Sequence, residues 1–297
     1  MQLQGGQLAD SARVADIDTM RPRDAGPDIA LAAARGKVSA LRNRSPLKFF
    51  ALVLPLSIPF WPNGAETDRQ MMRGLSASAL LAFCPMAVAL ILVYRETRTD
   101  GATDLPRRSF DLRRIKAKRW YVPVLLLMHD VSIGAYALMR WMEMPPRAPQ
   151  IPVLPGLLMF VVFLAGALGE ERGWSGYVLD PMQDRWSALQ VGTTMGVVAV
   201  LWHLAPLPLL HQSPAWIAWW CLYAMASRIL IVWRRNNTGK SVFAVTLYSA
   251  TQNLSYMLFP FYGTHFDMRL GGLVRSFAAA MVIDVWGPGT LARYKHA

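Results

Sequence analysis

A polytopic all-α transmembrane bundle of about eight spans is the fold class this sequence predicts, and three observations predict it. The chain of 297 residues is 54% hydrophobic but only 17% charged. Its mean hydropathy is +0.25, whereas soluble domains carry about a quarter charged residues. The apolar residues fall in runs close to the roughly 20 residues that cross a bilayer. The cationic residues gather in alternate connections between those runs, which is the pattern of membrane topogenesis. The net charge of +12 therefore reads as orientation in a membrane rather than as a nucleic-acid surface.

Along the chain, residues 1–46 are polar, contain Pro22 and Pro27, and lack the apolar stretch and cleavage site of a signal peptide. A disordered cytoplasmic tail is expected there, with one weak helix near Ile29–Leu41. A transmembrane domain is expected over 47–293. Its spans are placed at Leu47–Trp61, Leu75–Tyr94, Trp120–Trp141, Ile151–Tyr177, Ala188–Leu204, Ala215–Trp233, Ser241–Phe259 and Leu273–Trp286. Pro55 and Pro59 should kink the first, and the eighth carries Arg275 and Asp284. Cys84 and Cys221 both lie in apolar runs, so packed thiols and no disulfide framework are expected.

Lysine and arginine counts orient the spans. The tail through Lys48 holds eight, and the connection from Arg95 to Arg119 holds nine. Arg234, Arg235 and Lys240 follow the sixth span, and Arg293 and Lys295 follow the last. The intervening connections hold two or fewer each. Both termini are thus expected in the cytoplasm, and the composition suggests a bacterial inner membrane. Trp61, Trp120, Trp141, Trp186, Trp216 and Trp286 fall near span ends, where interfacial anchors belong.

Polar residues inside the spans carry the functional signal. Glu170 and Glu171 end an apolar run, and a charge in hydrocarbon costs at least about 2.5–3.5 kcal/mol, so an intramembrane acid is a site by default. Snorkelling at a helix end is the plainer reading of the pair. His203 beside Trp202 reads equally as an interfacial residue, and a lone Asn253 as interhelical glue. Counted from the cytoplasmic turn near Pro181–Asp184, from Trp186 and from Lys240, Glu171, His203 and Asn253 lie about 15, 25 and 20 Å deep, a spread that tilt can close. Ser249 and Asn253, four residues apart, share one helix face. Glu170 and Glu171 diverge by about 100°, so one of them needs a second partner, with Arg172 the local candidate. His129 and Asp130 sit mid-span, as support for the site or as a proton path. Arg228 with Trp219 and Trp220 is expected against a neighbouring helix or an interface. His211, His265 and His296 are expected in solvent. The cations from Arg107 to Arg119 should fix orientation or hold an amphipathic segment on anionic lipid.

Three stretches carry a resemblance: the run from Glu170 to Leu179, then Val200-Leu201-Trp202-His203-Leu204-Ala205-Pro206-Leu207, then Ser249-Ala250-Thr251-Gln252-Asn253-Leu254-Ser255. In order and spacing they resemble the CPBP family, the CAAX prenyl protease and bacteriocin-processing intramembrane endopeptidases, from about residue 155 to residue 293. The resemblance implies that Glu170, with His203, activates a water and that the third motif supplies the oxyanion donors. Those donors are Asn253 and, where the family has histidine, Ser249. The arginine that follows the family's glutamate pair is replaced here by Ser175. Losing an oxyanion donor typically costs about 10²–10³ in rate.

The family is often called a metalloprotease family. No His-Glu-x-x-His motif is present, and a catalytic zinc wants three protein ligands, so a glutamate mechanism without metal is expected and zinc is the runner-up. The expected partners are a peptide or protein substrate and membrane lipids, with no nucleic acid. Two rival readings remain. One is a non-cleaving homologue that binds a partner, suggested by Ser175 and Ser249. The other is a proton-coupled transporter, suggested by His129, Asp130, Arg275 and Asp284.

Overall fold

The computed structural model describes residues 44–61, 70–72, 75–144, 153–204, 212–258 and 267–292. The tail through residue 43, with its expected helix, lies outside the described residues, as do His211, His265 and His296. The helices are α1 (Pro46–Ser57), α2 (Cys84–Arg108), α3 (Tyr121–Leu125), α4 (Leu127–Trp141), α5 (Val153–Gly173), α6 (Leu179–Gln183), α7 (Ala188–Leu204), α8 (Pro214–Asn237), α9 (Val242–Leu258) and α10 (Met268–Trp286). A π-helical turn, Trp174–Val178, joins α5 to α6. A short antiparallel ribbon pairs β1 (Gln70–Met72) with β2 (Leu75–Ser76), a small departure from an all-helical fold.

Every expected span contains helix. Among the described residues, three helical stretches are long and apolar enough to cross a membrane, Ala79–Thr97, Val153–Gln183 and Pro214–Asn237. The chain is an α-helical membrane protein. Pro46–Phe60 and Ala188–Leu204 are shorter apolar helices. The remaining expected spans fall short for local reasons. The third breaks at Leu126 between α3 and α4, α9 has 17 residues and carries the polar Ser249–Asn253 face, and α10 contains Arg275.

Burial follows the logic of a protein in lipid, where apolar side chains face outward and small or polar ones face inward. On α5, Leu154, Leu157, Leu158 and Val161 are exposed, whereas Ala167, Gly169, Glu171 and Gly173 are buried further along. On α10, Leu273, Phe277 and Met281 form an exposed stripe, and Arg275, Ala279 and Val282 are buried. Side chains cap several helix starts. Ser45, Ser213 and Asp267 each accept a backbone N–H in the first turn of α1, α8 and α10, and Pro46 and Pro214 occupy first-turn positions.

Two seams fix the functional helices. α5 packs between α2 and α9, and α8 between α7 and α10. On α5, a Cβ added at Gly169 would lie 2.6 Å from the Ala82 carbonyl oxygen, and one at Gly173 would lie 2.5 Å from that of Pro85. Only glycine admits such backbone contact, and the seam locks the rotation of α5. With 100° per residue, Glu171 then points almost directly away from the seam, toward α8 and α9, and Glu170 points to one side. Gly173→Ala should therefore destabilise the fold by about 1–3 kcal/mol, because backbone and not a flexible side chain must move. Unfolding in detergent measures this, and a neutral result would mean that the seam does not set the helix rotation.

On α7, a Cβ at Gly196 would lie 3.0 Å from the Met225 Cα of α8. His203 falls two turns further along the same stripe and so is aimed at α8. The end of α8 departs from the expectation that Arg234 and Arg235 are loop charges. Both are buried inside the helix. Arg234 donates to the Pro123 carbonyl at 3.1 Å and lies 3.8 Å from the Tyr248 ring centroid, and Arg235 pairs with Asp180 at 2.9 Å. They stitch helices together, and so tell less about orientation than their sequence position suggests.

Candidate active site

Glu170, Glu171, His203, Ser249 and Asn253 line one cavity of about 260 Å³. α5 supplies the two carboxylates, α7 the histidine and α9 the serine and asparagine, so spans distant in sequence converge. α8 closes the remaining side with Trp220, Tyr223, Ser227 and Arg228, and Gln252 and Tyr256 of α9 complete the wall.

The two carboxylates have unequal surroundings. Glu171 is fully buried and accepts from three donors. These are the Ser175 hydroxyl one turn along, the Ser249 hydroxyl at 3.1 Å and Arg228 Nη1 at 3.1 Å. Glu170 keeps one looser contact among the described residues, an ion pair at 3.6 Å with Arg228 Nη2, and 21% of its side chain remains accessible in the cavity. A carboxylate engaged by three donors is a fixed structural anion, whereas one open to the cavity has lone pairs left for a water.

The cation between them is not the one expected. Arg172 turns away from the pair. Its Nε donates to the Ser109 hydroxyl at 2.9 Å, its Nη1 contacts Met86 Sδ at 3.0 Å, and its guanidinium sits 5.7 Å from the Phe110 ring. Arg228 of α8 serves both carboxylates instead, with its guanidinium 5.7 Å from the Trp174 ring. The expectation of Arg228 against a helix neighbour was too coarse, and a lone arginine inside an apolar run was the signal that could have found it.

Ser249 also differs from its expected part. Its hydroxyl hydrogen is committed to Glu171, so Asn253 is the motif residue of α9 left to face the cavity as a donor. His203 Nδ1 lies 3.1 Å from the Ala199 carbonyl, which can only accept. The proton of a neutral ring is thereby placed on Nδ1, and Nε2 keeps its lone pair. The ring packs between Trp202 at 4.5 Å and Trp220 at 5.7 Å. Behind this wall, Trp174 stacks edge-on against Trp202 at 5.4 Å, and the Trp202 indole donates to Ser57 at 2.7 Å.

His129 does not line this cavity. It contacts the Ser255 hydroxyl at 2.9 Å, and the side chain of Asp130 lies outside those described. Arg275 is buried behind the cavity wall, 2.6 Å from the Ser227 hydroxyl and 3.5 Å from the Tyr223 ring centroid, and Asp284 is exposed. Zinc is poorly served here. Among the described residues no three His, Cys, Asp or Glu side chains converge as metal ligands. Glu171 is already engaged, and Arg228 places a cation where a metal would bring a second.

The sequence pattern of the type II CAAX prenyl endopeptidase Rce1-like family matches residues 152–255, the stretch that holds the cavity's two carboxylates, His203 and Asn253. Over this stretch the chain is similar to the CPBP family. A relative, CAAX prenyl protease 2 of Methanococcus maripaludis, is 25% identical over 191 residues, which cover 59% of this chain and 69% of that protein. CPBP proteins are membrane-embedded proteases, and the matched stretch excludes the basic segment 107–119. Within the matched stretch, Ser175 and Ser249 both donate to the same carboxylate, Glu171.

Proposed function

We propose that this chain is a glutamate-dependent intramembrane endopeptidase of the CPBP type. The unequal engagement of its two carboxylates carries that reading. Glu170, open to the cavity, takes a proton from a water that His203 Nε2 helps to orient, and the water oxygen attacks the peptide carbonyl carbon. Asn253 donates to the oxyanion that forms. The carbon–nitrogen bond then breaks as the proton passes from Glu170 to the leaving amine. Glu171, Ser175, Ser249 and Arg228 hold the frame. A cavity of about 260 Å³ accommodates an extended stretch of chain and not a folded one, so the substrate is a membrane-associated or leader-bearing peptide. The name of the Methanococcus relative suggests the end of a lipid-modified chain as one form of it. The site belongs to an eight-span domain of an inner membrane with both termini in the cytoplasm.

Turnover of a membrane-anchored peptide by the reconstituted chain tests this. His203→Ala and Asn253→Ala should each lower the rate by about 10²–10³. Equal cleavage by wild type and both variants removes the site assignment. Peptide that binds but is never cut by wild type favours the non-cleaving homologue.

A further inference from the structure

A second, larger cavity of about 630 Å³ lies away from the carboxylate site, where the α2–α3 connection, the α8–α9 turn and the chain beyond α10 meet. Its walls include Arg114, Lys116, Arg119, Trp120, Asn237 and Trp286. The volume is within the range of ligand pockets, about 300–1,000 Å³.

Its charge is one-sided. Residues 112–120 contain Arg113, Arg114, Lys116, Lys118 and Arg119 and no acid. The carboxylate next to this segment in sequence, Asp111, is held by Arg114 Nε at 2.8 Å, and Asp180 of α6 is committed to Arg235 and Lys240. Lys116 and Arg119 are exposed and have no such ion pair among the described residues. The loop that carries them is held in place. A Cβ at Gly239, whose φ is +66°, would lie 2.5 Å from the Arg114 carbonyl oxygen, so the α8–α9 turn clasps the loop backbone to backbone.

The rings give its depth. Trp120 packs edge-on against Trp233 at 5.3 Å, and Trp233 against Trp286 at 5.2 Å. Three tryptophans in one chain of contact, with cations beside them, mark the level at which lipid headgroups meet the hydrocarbon. A cationic pocket at that level fits a phosphate diester with an acyl tail running down the protein's side. We propose that this cavity binds the headgroup of an anionic phospholipid, with Lys116 and Arg119 on the phosphate and Trp120 and Trp286 against its glycerol backbone.

The test titrates short-chain phosphatidylglycerol and phosphatidylcholine against the full chain in detergent, with bound lipid counted by native mass spectrometry. Wild type should prefer phosphatidylglycerol. Two cations near a membrane surface together amount to about thirtyfold in affinity, so Lys116→Gln with Arg119→Gln should erase most of the preference. Arg113→Gln with Lys118→Gln, on the same loop but off the cavity walls, should leave it within about twofold of wild type. All four side chains are exposed, and an unchanged melting profile confirms that each variant is folded. Equal binding of the two lipids overturns the proposal, as does an equal loss in the off-cavity variant, which would mean general charge attraction. Displacement of the lipid by equimolar glycerol phosphate would instead make this a site for free phosphate esters and overturn it too.

Discussion

Glu170→Gln should lower peptide turnover by about 10²–10⁴, the usual contribution of a positioned general base, with little change in stability. The substitution keeps volume and shape and removes the negative charge. In the folded chain that charge has one loose ion pair at 3.6 Å to lose, and Arg228 keeps its 3.1 Å pair with Glu171, so no buried charge is stranded. Glu171→Gln should do the reverse in the first instance. It disturbs a side chain that accepts from Ser175, Ser249 and Arg228, so unfolding in detergent should come earlier, and the lost rate should follow from a misplaced site. The pair of measurements separates a reacting carboxylate from a supporting one. Glu170→Gln with wild-type turnover would sink the mechanism. Rates restored by zinc after chelation would sink it in another way, by showing a metal where the donor set has no third ligand.

The membrane class and the polar residues that come to share one cavity were legible in the sequence because both stand out in composition and period. Apolar runs of span length can hardly be anything else, and intramembrane acids, histidines and amides are costly enough to stand out. The motif order then linked Glu170, His203 and Asn253 across spans that share no local signal. The side-chain partnerships were not legible. Which cation meets the carboxylates depends on the rotation of α5, and that rotation is set by Gly169 and Gly173 against the Ala82 and Pro85 carbonyls, a contact between backbones that no period announces. Sequence neighbourhood favoured Arg172, but a residue directly after Glu171 points about 100° away from it. Ser249 departs from its expected part for a related reason, since it shares a cavity with Asn253 but donates its hydroxyl to Glu171.

Arg228→Met should destabilise the fold by about 3–5 kcal/mol, the cost of stranding buried charge, and should abolish turnover as well. The guanidinium reaches Glu171 at 3.1 Å and Glu170 at 3.6 Å from one side chain that is 9% exposed, and among the described residues no other cation touches either carboxylate. Arg228→Lys should recover part of the stability only, because a point charge on a flexible stem cannot fork to two carboxylates as a planar guanidinium does. The decisive variant is Arg228→Met combined with Glu171→Met. Replacing a buried ion pair by apolar groups of similar size is often neutral, so the double variant should be markedly more stable than Arg228→Met alone, with a coupling well above the few tenths of a kcal/mol expected of independent sites. Turnover should stay lost in the double variant, since Glu170 then has neither its cation nor its fixed neighbour. An Arg228→Met chain as stable as wild type would show that water already solvates the pair and that α8 takes no part in the site. The cation that both carboxylates share thus comes across helices, from α8 to α5, while Ser175 donates to Glu171 from one turn along.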